Sequence, residues 1–342
     1  MLVIKIKILV TGGAGFIGSN FTRLLLAKDP NADIINLDKI TYAGNLSNLK
    51  DLEKNPNYNF VKGDICDIKL VEKISEGCDA IINFAAETHV DRSIFDARPF
   101  IKTDIEGTYV LLDAARKFNI KKFIQISTDE VYGSIDKGSF KENDCLNPNS
   151  PYASSKAAAD LMVKAFNKTF GVPAIIIRST NNFGPFQYPE KLIPLFITNL
   201  LENKKVPLYG KGKNVRDWIY VQDNCEAIYS ILKNGKISEI YNVAGGNEKQ
   251  NIEITKLILK YLKKSESLIE YVKDRPGHDF RYSLDCTKLK KLGWIPKLGF
   301  EDAMKQTIDW YRSNAQWWQK TKNEDSDFRE KWYAGLRANK SI

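Results

Sequence analysis

Histidine is almost missing from this chain of 342 residues: only His89 and His278 occur. A histidine-based triad would have to use one of those two, and a His/Cys metal site is not expected. The five cysteines, Cys66, Cys78, Cys145, Cys225 and Cys286, form no C-x-x-C pair. They read as free thiols of a reducing compartment, not as a disulfide framework. No apolar run is long enough to span a bilayer, and the opening Met1-Leu2-Val3-Ile4-Lys5-Ile6-Lys7 is too short and too charged for a signal peptide. A cytoplasmic protein without a membrane partner is expected. The formal net charge is +9, but basic and acidic residues are interspersed. That leaves no concentrated basic stripe of the kind nucleic acid requires. Internal repeats and low-complexity tracts are absent too. The chemistry must come from other residue types.

What is present is an alternation of short β-branched runs with longer helical patterns, the mark of a parallel α/β sheet. Strands are predicted over 4–11, 33–37, 58–62, 80–84, 122–127 and 174–178. Several carry apolar residues in succession (Ile8-Leu9-Val10, Ile81-Ile82, Ile175-Ile176-Ile177), as strands buried on both faces do. Helices are predicted over 18–27, 104–118 and 151–170. Beyond about Asn182 proline, glycine and aromatics become frequent and the alternation breaks down. The boundaries are expected at 1–182 for the first domain and at 183–212 plus 246–342 for a smaller, loop-rich one. Strand-like pieces at 215–220 and 240–243, within 213–245, are expected to return to the first sheet. The tail aromatics Trp317-Trp318 and Trp332-Tyr333 are expected to pack back on the body from a surface helix.

Ile8-Leu9-Val10-Thr11 runs directly into Gly12-Gly13-Ala14-Gly15-Phe16-Ile17-Gly18, and a helical pattern follows. Glycines let the chain turn sharply and let backbone N–H groups approach a pyrophosphate at a helix N-terminus. Such a turn can also be purely structural, but Asp38 lies about twenty residues beyond, where a carboxylate accepts hydrogen bonds from ribose hydroxyls. This is a Rossmann-type dinucleotide site, and Asp38 favours NAD over NADP. Lys39 is the residue that could instead pair with a 2′-phosphate. Asp64 and Ile65 end the third strand, where a carboxylate can hold the adenine amino group. Phe84-Ala85-Ala86 end the fourth with small residues suited to a backbone lying against a cofactor; both segments also fit ordinary strand-end packing.

Tyr152 and Lys156 open the third helix at i, i+4, on one face and one turn apart. A phenol is a poor base at its usual pKa of about 10, and a neighbouring ammonium together with a positive nicotinamide ring should lower it. Ser127-Thr128-Asp129-Glu130-Val131-Tyr132-Gly133 follows the apolar strand 122–127. A hydroxyl and two adjacent carboxylates then sit at a strand's carboxyl end, where open α/β sheets bind ligands.

With these segments the chain resembles an extended short-chain dehydrogenase/reductase and, within that superfamily, the dTDP-glucose 4,6-dehydratase family. Further matching runs are Ala85-Ala86-Glu87-Thr88-His89-Val90-Asp91-Arg92-Ser93, Asn181-Asn182-Phe183-Gly184-Pro185, Pro189-Glu190-Lys191-Leu192-Ile193-Pro194, Arg216-Asp217-Trp218 and Asp274-Arg275-Pro276-Gly277-His278-Asp279. The resemblance implies a Rossmann-type doubly wound parallel sheet with a smaller, interleaved C-terminal substrate-binding domain. It implies conversion of dTDP-glucose to dTDP-4-keto-6-deoxy-glucose and water on bound NAD. Tyr152 with Lys156 and Thr128 would handle the C4 hydroxyl proton, Glu130 the C5 proton, and Asp129 the departing C6 hydroxyl. Cofactor contacts would come from Gly12, Gly15, Phe16, Ile17, Gly18, Asp38, Lys39, Thr41, Asp64, Ile65, Phe84, Ala85, Ala86, Thr103 and Asn182, besides Tyr152 and Lys156. Thr88, Thr128, Asn181, Glu190, Lys191, Arg216, Asn251, Asp274, Arg275 and His278 would surround the nucleotide diphosphate sugar. Arg216 is the expected pyrophosphate partner, an ion pair with Asp217 being its other reading. A homodimer through helices 104–118 and 151–170 is implied as well. The chain departs from the family at Phe280, where a second arginine is usual, at Phe183 for tyrosine, and at Asp104 for asparagine. A UDP-glucose 4,6-dehydratase, a 4-epimerase or a non-catalytic NAD-binding sensor would share the cofactor turn; the Asp129-Glu130 pair argues against the epimerase, and the intact Tyr152, Lys156 and Thr128 against the sensor.

Overall fold

The computed structural model describes residues 6–324 and 331–335. Seven parallel strands form the main sheet: β1 (Ile6–Thr11), β2 (Ala32–Asp38), β3 (Tyr58–Lys62), β4 (Ala80–Asn83), β5 (Lys122–Thr128), β6 (Ala174–Ser179) and, at the far edge, Ile240–Val243. Read across the sheet the order is Ile240–Val243, β6, β5, β4, β1, β2, β3, with the reversal of winding at β1 that defines the doubly wound fold. Successive residues of the buried strands serve opposite faces. Ile8, Val10, Ile34, Ile82, Ile124, Ile175 and Ile177 enter one apolar cluster. Leu9, Ile35, Ile81, Phe123 and Ile176 enter the cluster on the other side. A period of two with both faces covered is why the strands read as unbroken apolar runs.

The helix Pro151–Phe170 has the limits its sequence predicts. The Ser150 side chain accepts from Ala153 N, Pro151 occupies the first turn, and Gly171 closes the helix at φ 70°, the left-handed conformation glycine tolerates. The predicted helix 104–118 is interrupted. Residues Ile101–Gly107 form a π-helical turn and the α-helix proper is Thr108–Lys117.

A third apolar cluster lies outside the sheet. It joins Phe196, Trp218, Ile254, Met304 and Trp318, and holds together the smaller lobe. The strand pieces flagged for the main sheet divide between the two. Ile240–Val243 pairs in parallel with β6. Val215–Tyr220 does not return; it pairs with Asn181–Phe183 and Glu248–Gln250 in a separate three-stranded sheet, because its Trp218 and Tyr220 face the smaller lobe's core. The tail aromatics do pack back, with Trp318 and Trp332 both buried.

One ion pair ties the helix of the Tyr/Lys motif to the sheet. Arg178 on β6 donates from Nε to Asp160 Oδ2 at 2.8 Å and from Nη1 to Tyr132 Oη at 2.7 Å, with both charged groups buried. Removing one partner of a buried pair strands the other charge, at a cost of about 3–5 kcal/mol. Asp160→Asn should therefore lower the unfolding free energy by about 3 kcal/mol, read as a lower urea midpoint at unchanged slope. A midpoint equal to the parent's would show that the pair is dispensable.

Candidate active site

The carboxyl ends of β1, β2, β4 and β5 open onto two connected clefts that share Tyr152. The first cleft is built on the glycine turn. Gly12 has φ +69°, and a Cβ there would lie 2.5 Å from Ala85 N, so only glycine lets β1 and the end of β4 come this close. Gly15 caps the helix Phe16–Lys28 without a side-chain bond and with no acid in its first turn, leaving amides and a positive helix end facing the cleft. Asp38 braces the turn. Its Oδ2 accepts from Ala14 N at 2.9 Å and its Oδ1 from Ile40 N at 2.8 Å. Burial pushes this carboxyl up and the two amides pull it back. Lys39 Nζ sits 2.7 Å from Asp64 Oδ2, so the cation that could have served a 2′-phosphate is already paired.

Gly12, Gly15, Phe16, Ile17, Gly18, Asp38, Lys39, Thr41, Asp64, Ile65, Phe84, Ala85, Ala86, Thr103, Tyr152 and Lys156 all line this cleft. Asn182 is the exception: it lies on the wall of the second cleft. The reason is that Asn181–Phe183 belongs to the small sheet. Ala43, Gly44, Gln187 and Tyr188 also face the first cleft.

The second cleft gathers Thr128, Asp129, Glu130 and Tyr152 with Thr88, Asn181, Glu190, Lys191, Arg216, Asn251, Arg275 and His278. Thr128 caps the short 3-10 helix Asp129–Tyr132, accepting from Glu130 N at 3.2 Å and donating to Asp129 Oδ1 at 3.1 Å. Asp129 is buried, and its other oxygen has no hydrogen-bond partner among the described residues. Burial first, and the Glu130 carboxylate second, hold its carboxyl well above the usual range. Glu130 is also raised by burial, against the opposing charges of Arg275, Lys191 and Arg216. Two adjacent acids thus have different company, and the one with less cationic support is raised further.

Lys156 is buried and donates from Nζ to the Ile126 carbonyl at 2.7 Å. The sequence expectation for the Tyr152 phenol included a bound nicotinamide's positive charge; the chain's own groups act in the other direction. The phenol is pushed well above its ordinary value, chiefly by burial, then by the charges of Glu130 and Asp104, while a hydrogen bond with Thr128 works the other way. Burial and the neighbouring carboxylates together disfavour the phenolate.

Arg216 does not pair with Asp217. Its guanidinium bonds the carbonyls of Val215, Phe280 and Asp279 and lies 4.2 Å from the Tyr282 ring centroid. Asp217 instead accepts from Gly246 N and Asn247 N. The cation therefore reaches the cleft wall uncompensated by its sequence neighbour. Asp274 does not line the cleft; its Oδ1 holds His278 Nδ1 at 2.6 Å. Both histidines are neutral at pH 7: burial takes His89 down to about 3 and His278 to about 4. Asn181, Asn182 and Asn251 each keep a buried side-chain oxygen with no protein partner among the described residues. Such atoms lining a cleft call for a polar ligand. At the outer end Trp332 Nε1 donates to Tyr209 Oη, which donates to Asp91 Oδ2, whose Oδ1 accepts from Arg275 Nη1 at 2.8 Å. Nothing in local sequence joins these four residues. Among the described residues no group of acids, histidines and cysteines could hold a metal ion.

The sequence profile of the GDP-mannose 4,6 dehydratase family matches residues 9–307. A dTDP-glucose 4,6-dehydratase of Streptomyces niveus is 49% identical over 324 residues, covering 93% of this chain and 96% of that protein. The chain belongs to the dTDP-glucose 4,6-dehydratase family. A low-salt glycan biosynthesis protein of Haloferax volcanii is 51% identical, over 89% of this chain and 98% of its own length. A dTDP-glucose 4,6-dehydratase of Streptomyces venezuelae, solved with NAD bound, superimposes with a TM-score of 0.91 at 48% identity, over 92% of this chain and 100% of that one. That solved relative thus shares the greater part of this chain's fold.

Proposed function

We propose that this protein dehydrates dTDP-glucose to dTDP-4-keto-6-deoxy-glucose with NAD as a resident cofactor. The observation that carries the reading is the cluster Thr128-Asp129-Glu130 facing Tyr152 where the two clefts meet. The glycine cradle, the open helix end and Asp38 fit a dinucleotide with a free 2′-hydroxyl. Bound NAD supplies the hydride acceptor at C4 and the donor at C6, so no redox equivalent is consumed.

Tyr152, as the phenolate that Lys156 and the positive charge of a bound nicotinamide would favour, takes the C4 hydroxyl proton, with Thr128 orienting the same hydroxyl and Lys156 fixed on the Ile126 carbonyl. The resulting C4 carbonyl acidifies C5–H. Glu130, whose cationic neighbours favour its ionised form more than those of Asp129 do, takes that proton. Asp129 retains its proton through burial and gives it to the C6 hydroxyl, which leaves as water. Arg216, Lys191 and Arg275 converge on the cleft, and a fork-shaped guanidinium suits a diphosphate. The smaller lobe, 183–212 and 246–342 with the strand Val215–Tyr220 that the small sheet adds to it, supplies most of the nucleotide side.

The protein is a homodimer in this reading. Phe95, Ile101, Tyr109, Leu161 and Phe170 are exposed on Val90–Phe95, the π-turn and the helices Thr108–Lys117 and Pro151–Phe170, an apolar surface of the sort that a second copy covers. Five unpaired thiols suit a cytoplasmic setting, and no helix among the described residues is long and apolar enough to cross a membrane.

Incubation with dTDP-glucose, UDP-glucose and GDP-mannose in separate reactions, without added reductant, tests the assignment. The 4-keto-6-deoxy product should form fastest from dTDP-glucose, and light scattering of the same preparation should give twice the chain mass. Formation of a C4 epimer alone would overturn it.

A further inference from the structure

Asp104 occupies the π-helical turn Ile101–Gly107, the widened turn that breaks the predicted helix. π-turns recur at functional sites, and this one delivers an acid to the interior: Asp104 is 2% exposed. Its Oδ2 accepts from Ser155 Oγ at 2.6 Å and its Oδ1 from Glu87 N at 2.9 Å. Ser155 immediately precedes Lys156, and its hydroxyl also lies 2.8 Å from the Tyr152 carbonyl oxygen. An asparagine would fill the same space. What the carboxyl adds is a charge that can be switched off.

We propose that Asp104 is a positioning residue for the redox half of the reaction, gripping the Tyr152–Lys156 turn through Ser155 and setting by its own charge how readily Tyr152 gives up its proton. The inference rests on the role assigned to Tyr152 above. Around Asp104 stand Tyr152, Ser155 and Lys156 from the helix Pro151–Phe170 and Glu87 from the segment after β4; Glu130 and Asp129 act on the same phenol from the end of β5. Burial pushes the Asp104 carboxyl up to about 6, with Lys156, Ser155 and the Glu87 amide opposing.

The sign follows. An ionised Asp104 disfavours the Tyr152 phenolate, as a like charge does. When pH falls through about 6 Asp104 takes up a proton, the opposition to phenolate is relieved, and the loss of active base is blunted. Asp104→Asn fixes the relieved state at every pH. Ser155→Ala removes a bond to the ionised form, so Asp104 holds its proton more readily and the same relief extends to higher pH.

The test is the pH profile of kcat on dTDP-glucose for the parent, Asp104→Asn and Ser155→Ala. The midpoint of the acid limb should move to lower pH by about half a pH unit or more in Asp104→Asn, and by less in Ser155→Ala, with KM within about two-fold of the parent. A uniform fall in kcat with the midpoint unmoved is what mere structural support would give, and it overturns the proposal, as does a shift to higher pH. Should Asp104→Asn fail to fold, an unmoved midpoint in Ser155→Ala overturns it alone. Failure of the parent to make the 4-keto-6-deoxy sugar would sink the functional reading instead, so the two failures are told apart.

Discussion

Tyr152→Phe should lower kcat for dehydration by about 10²–10⁴-fold, the range for loss of a general base, with KM and thermal midpoint close to the parent's. The ring loses only its hydroxyl. Its edge contact with Phe100, centroids 6.2 Å apart, is kept, and so are the Ser150 cap and the Arg178–Asp160 pair that fix the helix. The hydroxyl, by contrast, is the group that Thr128 reaches and whose ionisation burial first, and then the charges of Glu130 and Asp104, oppose. The two histidines, taken down to about 3 and about 4, are too weakly basic to substitute. Steady-state rates with dTDP-glucose measure the effect. A kcat within about three-fold of the parent's would remove Tyr152 from the mechanism.

Much of this site was legible because its residues announce themselves locally. A glycine turn between a buried strand and a helix, an acid one strand later, and a proline-led helix carrying Tyr152 and Lys156 each depend on neighbours close in sequence. Strand limits were readable for a related reason: Ile8, Leu9 and Val10 alternate between two cores, so the whole run must be apolar. Sheet membership was not. Val215–Tyr220 has the composition of a main-sheet strand, but its partners, Asn181–Phe183 and Glu248–Gln250, are set by the smaller lobe's packing, and that placement leaves Asn182 on the wall of the second cleft, not of the first. The π-turn left no trace in the helical pattern of 104–118, since one extra residue in a turn changes the direction of side chains without changing their hydropathy. Electrostatics was the least readable. Lys156 together with a positive nicotinamide ring was expected to bring Tyr152 down, and only the fold could put Glu130, Asp104 and Asp129 around the phenol. The chain Trp332–Tyr209–Asp91–Arg275 joins four distant segments, and no spacing rule connects them.

Asp129→Asn should cut water loss by about 10²–10⁴-fold and leave the steps before it running, a separation that Tyr152→Phe cannot give. The amide keeps the shape and can still accept from Thr128, which donates to Asp129 Oδ1 at 3.1 Å, so the strand-end turn should hold. What it lacks is an ionisable proton for the C6 hydroxyl. In the parent that proton is secured twice over: burial penalises the anion, and Glu130 adds a like charge beside it, with Arg216 and the Thr128 hydroxyl pulling the other way. Glu130 remains in the variant, so the C5 proton should still come and go once C4 is oxidised. In deuterated water the recovered dTDP-glucose should then carry deuterium at C5 while almost no 4-keto-6-deoxy product forms. Glu130→Gln should show neither label nor product, because the group that opens C5 is gone. The pair of variants separates acid from base by isotope alone. Water loss at the parental rate in Asp129→Asn would assign the acid elsewhere, and unlabelled substrate in that variant would mean that Asp129, not Glu130, handles C5.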